Sequence, residues 1–449
     1  FMKEEKIPEF PGFLKILGPG IIWLALAQGS GELIWWPYLA AKYGGALLFL
    51  LIPSALVQLP LTYYIGRYSL LTGESIWRGF LRANKYFSIF LWIMMNFSFF
   101  WFGSFVVAGG TALSELIPFG ISRKAESILW GYLLILGMYI VLMKSKKVYD
   151  VIEKIMMFVA IGTFVGLVIS CSYRTVLEKI PDFFTSFLKP NLKVVEKEDY
   201  EKVITAITFM GLGGFWSLFY SYWILGKGMG MAKLAQNKFI SGFIPSKDTP
   251  KNKISIWKKA LLLDSSVGVV GNLITTIMTT LLAFAILNPK GLFPTEYKIA
   301  VVQAEFFAEW GGELGRRIFL FASALFLVDT WISTADAVAR TNIDIIKFVN
   351  EKIIKDENKA YKILITAITV ITCITLPIAP PGELIVFTAV IGFFGMGAIC
   401  IMVIITQSYF LPKLSETLKE SKIEKISIFI TTTIYISLVI IYIVLKFKT

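Results

Sequence analysis

The 449-residue sequence contains no histidine and only three cysteines, Cys171, Cys373 and Cys400. Without histidine the chain lacks the usual proton shuttle near neutral pH and the commonest transition-metal ligand. The cysteines lie in or beside apolar segments with no metal-ligand spacing, so neither a thiolate metal site nor a disulfide framework is expected. No nucleophile–base pair, phosphate loop or nucleotide-binding motif is present, which argues against an enzyme and against a nucleotide-driven pump. No attached soluble domain supports a receptor or sensor. Charge is scarce as well, at 17% of residues, and long polar stretches are confined to 172–202 and 227–258.

What fills the chain instead is apolar sequence. Hydrophobic residues make up 56% and the mean hydropathy is +0.69, above the ~45–50% apolar content of soluble domains. Apolar segments fall at roughly 14–41, 45–66, 87–117, 127–143, 151–171, 203–226, 259–287, 313–343, 361–378, 383–411 and 426–446. Runs of about 20 such residues read as membrane helices. The expectation is one all-α polytopic membrane domain over 1–449 with eleven transmembrane helices. No signal peptide is expected, because a charged N-terminus leads straight into a full span.

The net charge of +13 has an orientation reading rather than a nucleic-acid one. With the N-terminus placed inside, 29 of the 44 Lys and Arg lie on the inner side, which fits the positive-inside rule. This predicts a protein of the cytoplasmic membrane with its N-terminus cytoplasmic and its C-terminus extracellular. Its partners are then the lipid bilayer and a small transported ion or solute. No nucleic acid and no cofactor are expected, and the sequence leaves the oligomeric state open, with a monomer compatible. The basic, Gly/Ser/Pro-containing stretch 227–258 reads as a mobile cytoplasmic loop.

Two apolar segments are interrupted near their middle. The first reads LALAQGSGELIWWPYLAAKYGG over 24–45, with Gly29, Ser30, Gly31 and Glu32 at its centre. The sixth carries Gly211-Leu212-Gly213-Gly214. Interrupted segments at matching places in two halves are the strongest sequence pointer to a transporter site. Spans 1 and 6 match in a five-plus-five inverted repeat, with repeat 1 at about 14–171, repeat 2 at about 203–411, and an extra helix at about 426–446. A carboxylate at the bilayer centre costs roughly 2.5–3.5 kcal/mol on insertion scales and is functional by default. Glu32 is therefore a candidate to bind a cation directly or to carry a coupling proton.

The first span also resembles a known family. Leu17-Gly18-Pro19-Gly20, eight apolar-rich residues, the Gly-containing tetrad and Ala41-Lys42-Tyr43-Gly44 are similar to the first span of the NRAMP metal-ion transporters, without a gap. Gln58 to Gly73, QLPLTYYIGRYSLLTG, resembles that family's second span, with Arg67 and Thr72-Gly73 at the familiar places. The resemblance implies a leucine-transporter-like fold with broken helices 1 and 6. It also implies secondary active transport of a metal ion by alternating access, as a symporter. The departures bear on substrate. The family's Asp-Pro-Gly-Asn tetrad is replaced, so that Gly29 and Glu32 stand where the Asp and Asn ligate metal. Leu218, Phe219 and Tyr220 stand where the family has Met-Pro-His.

Hard oxygen ligands suit Mg or Ca, and soft ones select transition metals. The first reading is thus a divalent metal of non-standard selectivity, with Glu32 as its ligand and H+ or Na+ as coupling ion. The alternative is a small organic cation or zwitterion in an aromatic-lined site, held by cation–π contacts. Candidate substrate residues are Gly29, Ser30, Gly31, Glu32, Gly211, Gly213, Gly214, Phe215, Trp216 and Leu218. In span 8, Asp329, Thr330, Ser333 and Thr334 cluster within about one and a half turns. In a leucine-transporter-like fold, hydroxyls at the Ser333-Thr334 position help hold a sodium ion, so Glu32, Asp329, Ser333 and Thr334 are candidate coupling-ion residues. Asp264 is expected to pair with Lys258-Lys259, Asp336 with Arg340, Asn272 to hydrogen-bond between helices, and Glu115 and Glu383 to lie at the outer mouth.

Overall fold

The computed structural model describes residues 2–144, 148–235 and 242–447. The side chains of residues 30–32, 148–153, 155–156 and 159–160 are outside the described residues. The described chain is almost wholly helical, and helices occupy all eleven apolar segments of the sequence. Seven are long and apolar enough to cross a membrane: Leu48–Thr72, Lys85–Leu116, Arg123–Lys144, Lys251–Lys290, Glu305–Val349, Pro381–Leu414 and Lys422–Phe447. The first and sixth spans fall short for a physical reason. Each is cut into halves of eight or nine residues, and at 1.5 Å rise such a half covers less than half of a ~30 Å hydrocarbon core.

The first span consists of helix Pro19–Ala27, an eight-residue π-helical segment Gln28–Trp35, and helix Trp36–Tyr43. Its glycines are weak helix formers, but Pro37 explains the widening. Proline has no N–H to donate to the carbonyl four residues back, and its ring clashes with it. That carbonyl belongs to Leu33, and it accepts instead from the side-chain amide of Gln303. The interruption of this span therefore stays helical, opened to π, rather than running as unwound chain. The sixth span does leave the helix. Helix Tyr200–Thr208 ends, residues 209–213 are irregular, a 3₁₀ turn covers Gly214–Phe219, and helix Tyr220–Lys227 follows. Gly214, with φ +62°, supplies the left-handed turn that a β-carbon would oppose.

The loop expected to be mobile is partly pinned. Strand Phe243–Pro245 pairs in parallel with strand Lys3–Glu5, in the register Lys3↔Phe243 and Glu5↔Pro245. The Trp257 indole N–H donates to the Pro8 carbonyl at 3.0 Å, and Phe10 packs edge-on against the same indole at 5.2 Å. The peptide N–H groups of an isolated strand want a partner, and the N-terminal segment supplies one. Residues 236–241 lie outside the described residues.

Candidate functional site

A void lies where the first, sixth and eighth spans meet. Leu26 contributes from the first, Phe209, Gly211, Leu212 and Trp216 from the sixth, and Thr330 from the eighth. The space left between these side chains is too narrow for a water molecule. Trp216 organises it. The indole N–H donates to Thr334 Oγ1 at 2.9 Å, and the ring meets Phe99 at 4.5 Å and Phe209 at 5.4 Å, both edge-on. Edge-to-face pairs of this kind hold ring orientations. The break in span 6 is thus backed by an aromatic wall rather than by ligating groups.

The first and eighth spans pack tightly at Gly29. A β-carbon there would sit 2.2 Å from Thr330 Oγ1 and 2.8 Å from the Phe326 carbonyl oxygen. Adjoining the contact residues in sequence are Gln28 in span 1 and Asp329 in span 8, only 4% and 2% exposed. Among the described residues neither amide atom of Gln28 and neither carboxylate oxygen of Asp329 makes a well-formed hydrogen bond, and the Asp329 carboxylate has only its neighbour Thr330 in reach. Buried polar groups are nearly always paired, and an unpaired buried charge is costlier than an amide. One turn on, Ser333 Oγ donates to the Asp329 carbonyl at 2.9 Å. Its lone pairs stay available to a cation.

The candidate residues divide on this geometry. Gly211 and Trp216 line the void, Gly29 meets Thr330 at the span 1–span 8 contact, Asp329 and Ser333 follow on the same helix of span 8, and Thr334 accepts from Trp216. Four other candidates belong elsewhere. Gly214 faces Gly392 of span 10, where an added β-carbon would be 2.7 Å from the Gly392 Cα. Phe215 packs against Gly395 of the same helix. Gly213 turns back on the Thr208 carbonyl, and Leu218 is buried in the core away from the lining. The backbone of Ser30, Gly31 and Glu32 lies in the π-helical segment, while their side chains lie outside the described residues. Sequence reasoning missed Leu26, Phe209, Gln28 and Gln303. The signal for Gln303 was Pro37, which leaves one carbonyl in need of a donor.

Asp264 corrects its expected pairing. It accepts from Tyr220 Oη at 2.7 Å and from the Gly18 N–H at 3.3 Å, so it closes the start of the first span against spans 6 and 7. Lys258 instead bonds Glu424 at 3.0 Å. Asp336 and Arg340 do pair, at 2.8 Å, and Glu115 bonds Arg123 at 2.6 Å. Both amide atoms of Asn272 are buried without partners, so the expected interhelical hydrogen bond is not made. Among the described residues no three His, Cys, Asp or Glu side chains gather into a metal cluster.

At the end of span 1 far from the N-terminus stands a polar knot around Asp199. Its carboxylate accepts from Lys202 Nζ at 2.6 Å, Tyr43 Oη at 2.6 Å, Lys42 Nζ at 2.8 Å and Tyr38 Oη at 3.1 Å. Burial pushes this carboxyl up, but the bonds from Lys202, Lys42 and Tyr43 outweigh it and hold the pKa at about 2.

No family profile matches the chain. An uncharacterised protein of Pasteurella multocida (strain Pm70) is 22% identical over 351 residues, covering 77% of this chain and 73% of that protein. Among solved structures, MhsT in complex with L-phenylalanine superposes with a TM-score of 0.58 at 15% identity, covering 98% of this chain and 99% of that one. Mhp1, a nucleobase-cation-symport-1 family transporter with bromovinylhydantoin bound, gives 0.53 at 10% identity, with 91% and 82% covered. The manganese transporter of Eremococcus coleocola, in complex with an aromatic bis-isothiourea compound, gives 0.52 at 12% identity, with 98% and 97% covered. At these identities the likeness establishes the fold, which is leucine-transporter-like, and a multi-pass membrane protein.

Proposed function

We propose that this protein is a secondary active transporter working by alternating access, in which a cation binds between the π-helical segment of span 1 and Asp329 of span 8. The observation that carries this reading is the Asp329 carboxylate, buried one residue from the Thr330–Gly29 contact and, among the described residues, with no well-formed hydrogen bond and only its chain neighbour Thr330 in reach. A carboxylate in such a place is either protonated or neutralised by a bound cation. Both states describe a coupling ion, H+ or Na+. Among the described residues the ligands on offer are hard oxygens, from Asp329, Gln28, Thr330 and Ser333, and these suit a proton or an alkali cation better than a soft metal.

The transported solute belongs in the neighbouring void. Its lining supplies one hydroxyl, aliphatic and aromatic surface, and no charge. That composition supports a small organic cation or zwitterion, placed against the Trp216 and Phe209 rings and enlarging the collapsed void as it enters. The divalent-metal reading is favoured by one specific feature, the place of Glu32 in the π-helical segment, together with the NRAMP-like spacing of the first span. The two readings separate by calorimetric titration of the purified protein with MnCl2, MgCl2, NaCl and a panel of organic cations and zwitterions. Saturable, Na+- or pH-dependent heat with an organic solute, and none with Mn2+ or Mg2+, supports the organic reading. Saturable heat with a divalent metal that Glu32→Gln abolishes reverses the order. Binding indifferent to both ions and to Asp329→Asn removes Asp329 from the mechanism.

A further inference from the structure

The stretch between spans 5 and 6 is polar by composition, yet it carries a row of bare apolar side chains. Span 5 ends at Cys171, and the Ser172 and Tyr173 N–H groups still bond back to its last turns. Tyr173 is extended and caps the short helix Arg174–Leu177, and helix Ile180–Ser186 follows, with Pro181 near its start. Proline suits that place, where its missing N–H would have had no helical partner.

These two helices have two apolar sides. One is packed. Val176 and Phe183 are fully buried, and the Phe183 ring meets Phe284 of span 7 edge-on at 5.6 Å. An added β-carbon on Gly45 would sit 2.3 Å from the Ser186 side chain, and the Asn191 N–H donates to the Ala46 carbonyl at 3.1 Å. The segment is therefore fixed to the ends of spans 1 and 7. The other side is uncovered. Tyr173, Leu177, Phe184, Leu188 and Leu192 are exposed, Phe184 by 51% and Leu188 by 84%. Scattered apolar residues on a surface need no explanation, but a contiguous row marks an interaction site.

Continuity with span 5 indicates what covers the row. Near its end that helix turns Val165, Val168 and Ile169 outward, as a membrane helix does toward lipid, and the four-residue step from Val165 to Ile169 runs on to Tyr173 and Leu177. Charge agrees. Arg174 pairs with Glu178 and Lys179 with Asp182, so Lys189 and Lys193 leave residues 173–194 with a net charge of +2, beside the most exposed apolar side chain. Apolar residues on one side and basic ones at their border are the pattern of a segment lying in the membrane interface, with lysines reaching out to the headgroups. We propose that residues 173–194 are an interfacial anchor. Phe184, Leu188 and Leu192 lie among the upper acyl chains of phospholipids in the leaflet where span 5 ends, and Lys189 and Lys193 lie at their phosphates. The anchor is independent of what the protein transports.

The test uses the full chain in nanodiscs of phosphatidylcholine and phosphatidylglycerol, with Cys171, Cys373 and Cys400 changed to Ser. Phe184→Cys, Leu188→Cys and Asp182→Cys, each at an exposed position, carry a polarity-sensitive fluorophore. Nitroxide lipid labelled high on the acyl chain is expected to quench the label at 184 and 188 about threefold more than at 182, and aqueous iodide the reverse. Iodide quenching at 184 and 188 equal to that at 182 would place the row in water. Shielding from both quenchers would place it against protein, such as a second copy of the chain. Either result overturns the proposal. A label at Leu192→Cys then guards against insertion driven by the fluorophore itself. Phe184→Ser with Leu188→Ser is expected to shift that label from nitroxide to iodide quenching, and an unchanged response there also overturns the proposal.

Discussion

Gly29 shows how far one missing β-carbon determines a site. An alanine there would meet Thr330 Oγ1 at 2.2 Å, so spans 1 and 8 would have to separate. Overpacking of this kind costs ~1–3 kcal/mol. Gly29→Ala is accordingly expected to lower the melting temperature. A Thr330→Ala background should relieve part of that loss, but not all, because the Phe326 carbonyl remains 2.8 Å away. A double-mutant cycle by denaturation reads this coupling, and additive losses would show that the two residues do not bear on each other. Asp329 makes the opposite prediction. Replacing a buried acid that lacks a partner removes a desolvation cost, so Asp329→Asn should leave the melting temperature at or above the parent's. In proteoliposomes it should reduce gradient-driven uptake at least ~10-fold, since one ionisable group bound in only one state of the cycle supplies the coupling. Full uptake by this variant would refute the assignment.

At the scale of elements, the two interruptions differ in kind. In span 1, Pro37 withholds one N–H and the helix widens, with Gln303 satisfying the released Leu33 carbonyl. In span 6, left-handed Gly214 pressed on Gly392 lets the chain leave the helix altogether. Gln303→Leu should therefore act only through span 1. It leaves a buried carbonyl without a donor, at ~1–3 kcal/mol, and its effect on thermal stability should vanish when Pro37 is changed to Ala, which restores the missing N–H. The N-terminal strand is a second elemental device. Removing residues 2–10 takes away the strand partner of Phe243–Pro245 and the contacts to Trp257. Limited proteolysis within 242–250 should then become faster, with the helical core still intact. An unchanged cleavage pattern would show that the pairing contributes nothing to order there.

For the whole molecule, two polar clusters tie span 1 to its neighbours: Asp264 with Tyr220 and Gly18 holds its start against spans 6 and 7, and the Asp199 knot joins its second half-helix to span 6. The second cluster has a definite pH signature. The native pKa of Asp199 lies at about 2, below the ordinary 3.8. Its contribution is therefore complete above pH ~4 and is lost as pH falls toward 2. Between pH 5 and 8 Asp199→Asn should lower the melting temperature by a constant amount, and that difference should shrink as pH falls from about 4 toward 2. A variant difference that grows between pH 5 and 8 would point to some other titrating group.

Sequence alone determined the membrane class, the number of apolar segments and the places where two of them are interrupted. These depend on local properties: the length of an apolar run against the bilayer, and the poor helix propensity of glycine. It also located Asp329, Ser333 and Thr334 on one stretch of helix, because residues three to five apart share a face. Only the tertiary structure decided which glycines border the void and which merely pack, separating Gly211 from Gly213 and Gly214. The same holds for Asp264, whose partners are 44 and 246 residues away in the chain while lysines stand five and six residues before it. Helix period and composition report what a segment is. Which side chain meets which across the bundle depends on crossing and rotation of helices distant in sequence, and no local pattern carries that information.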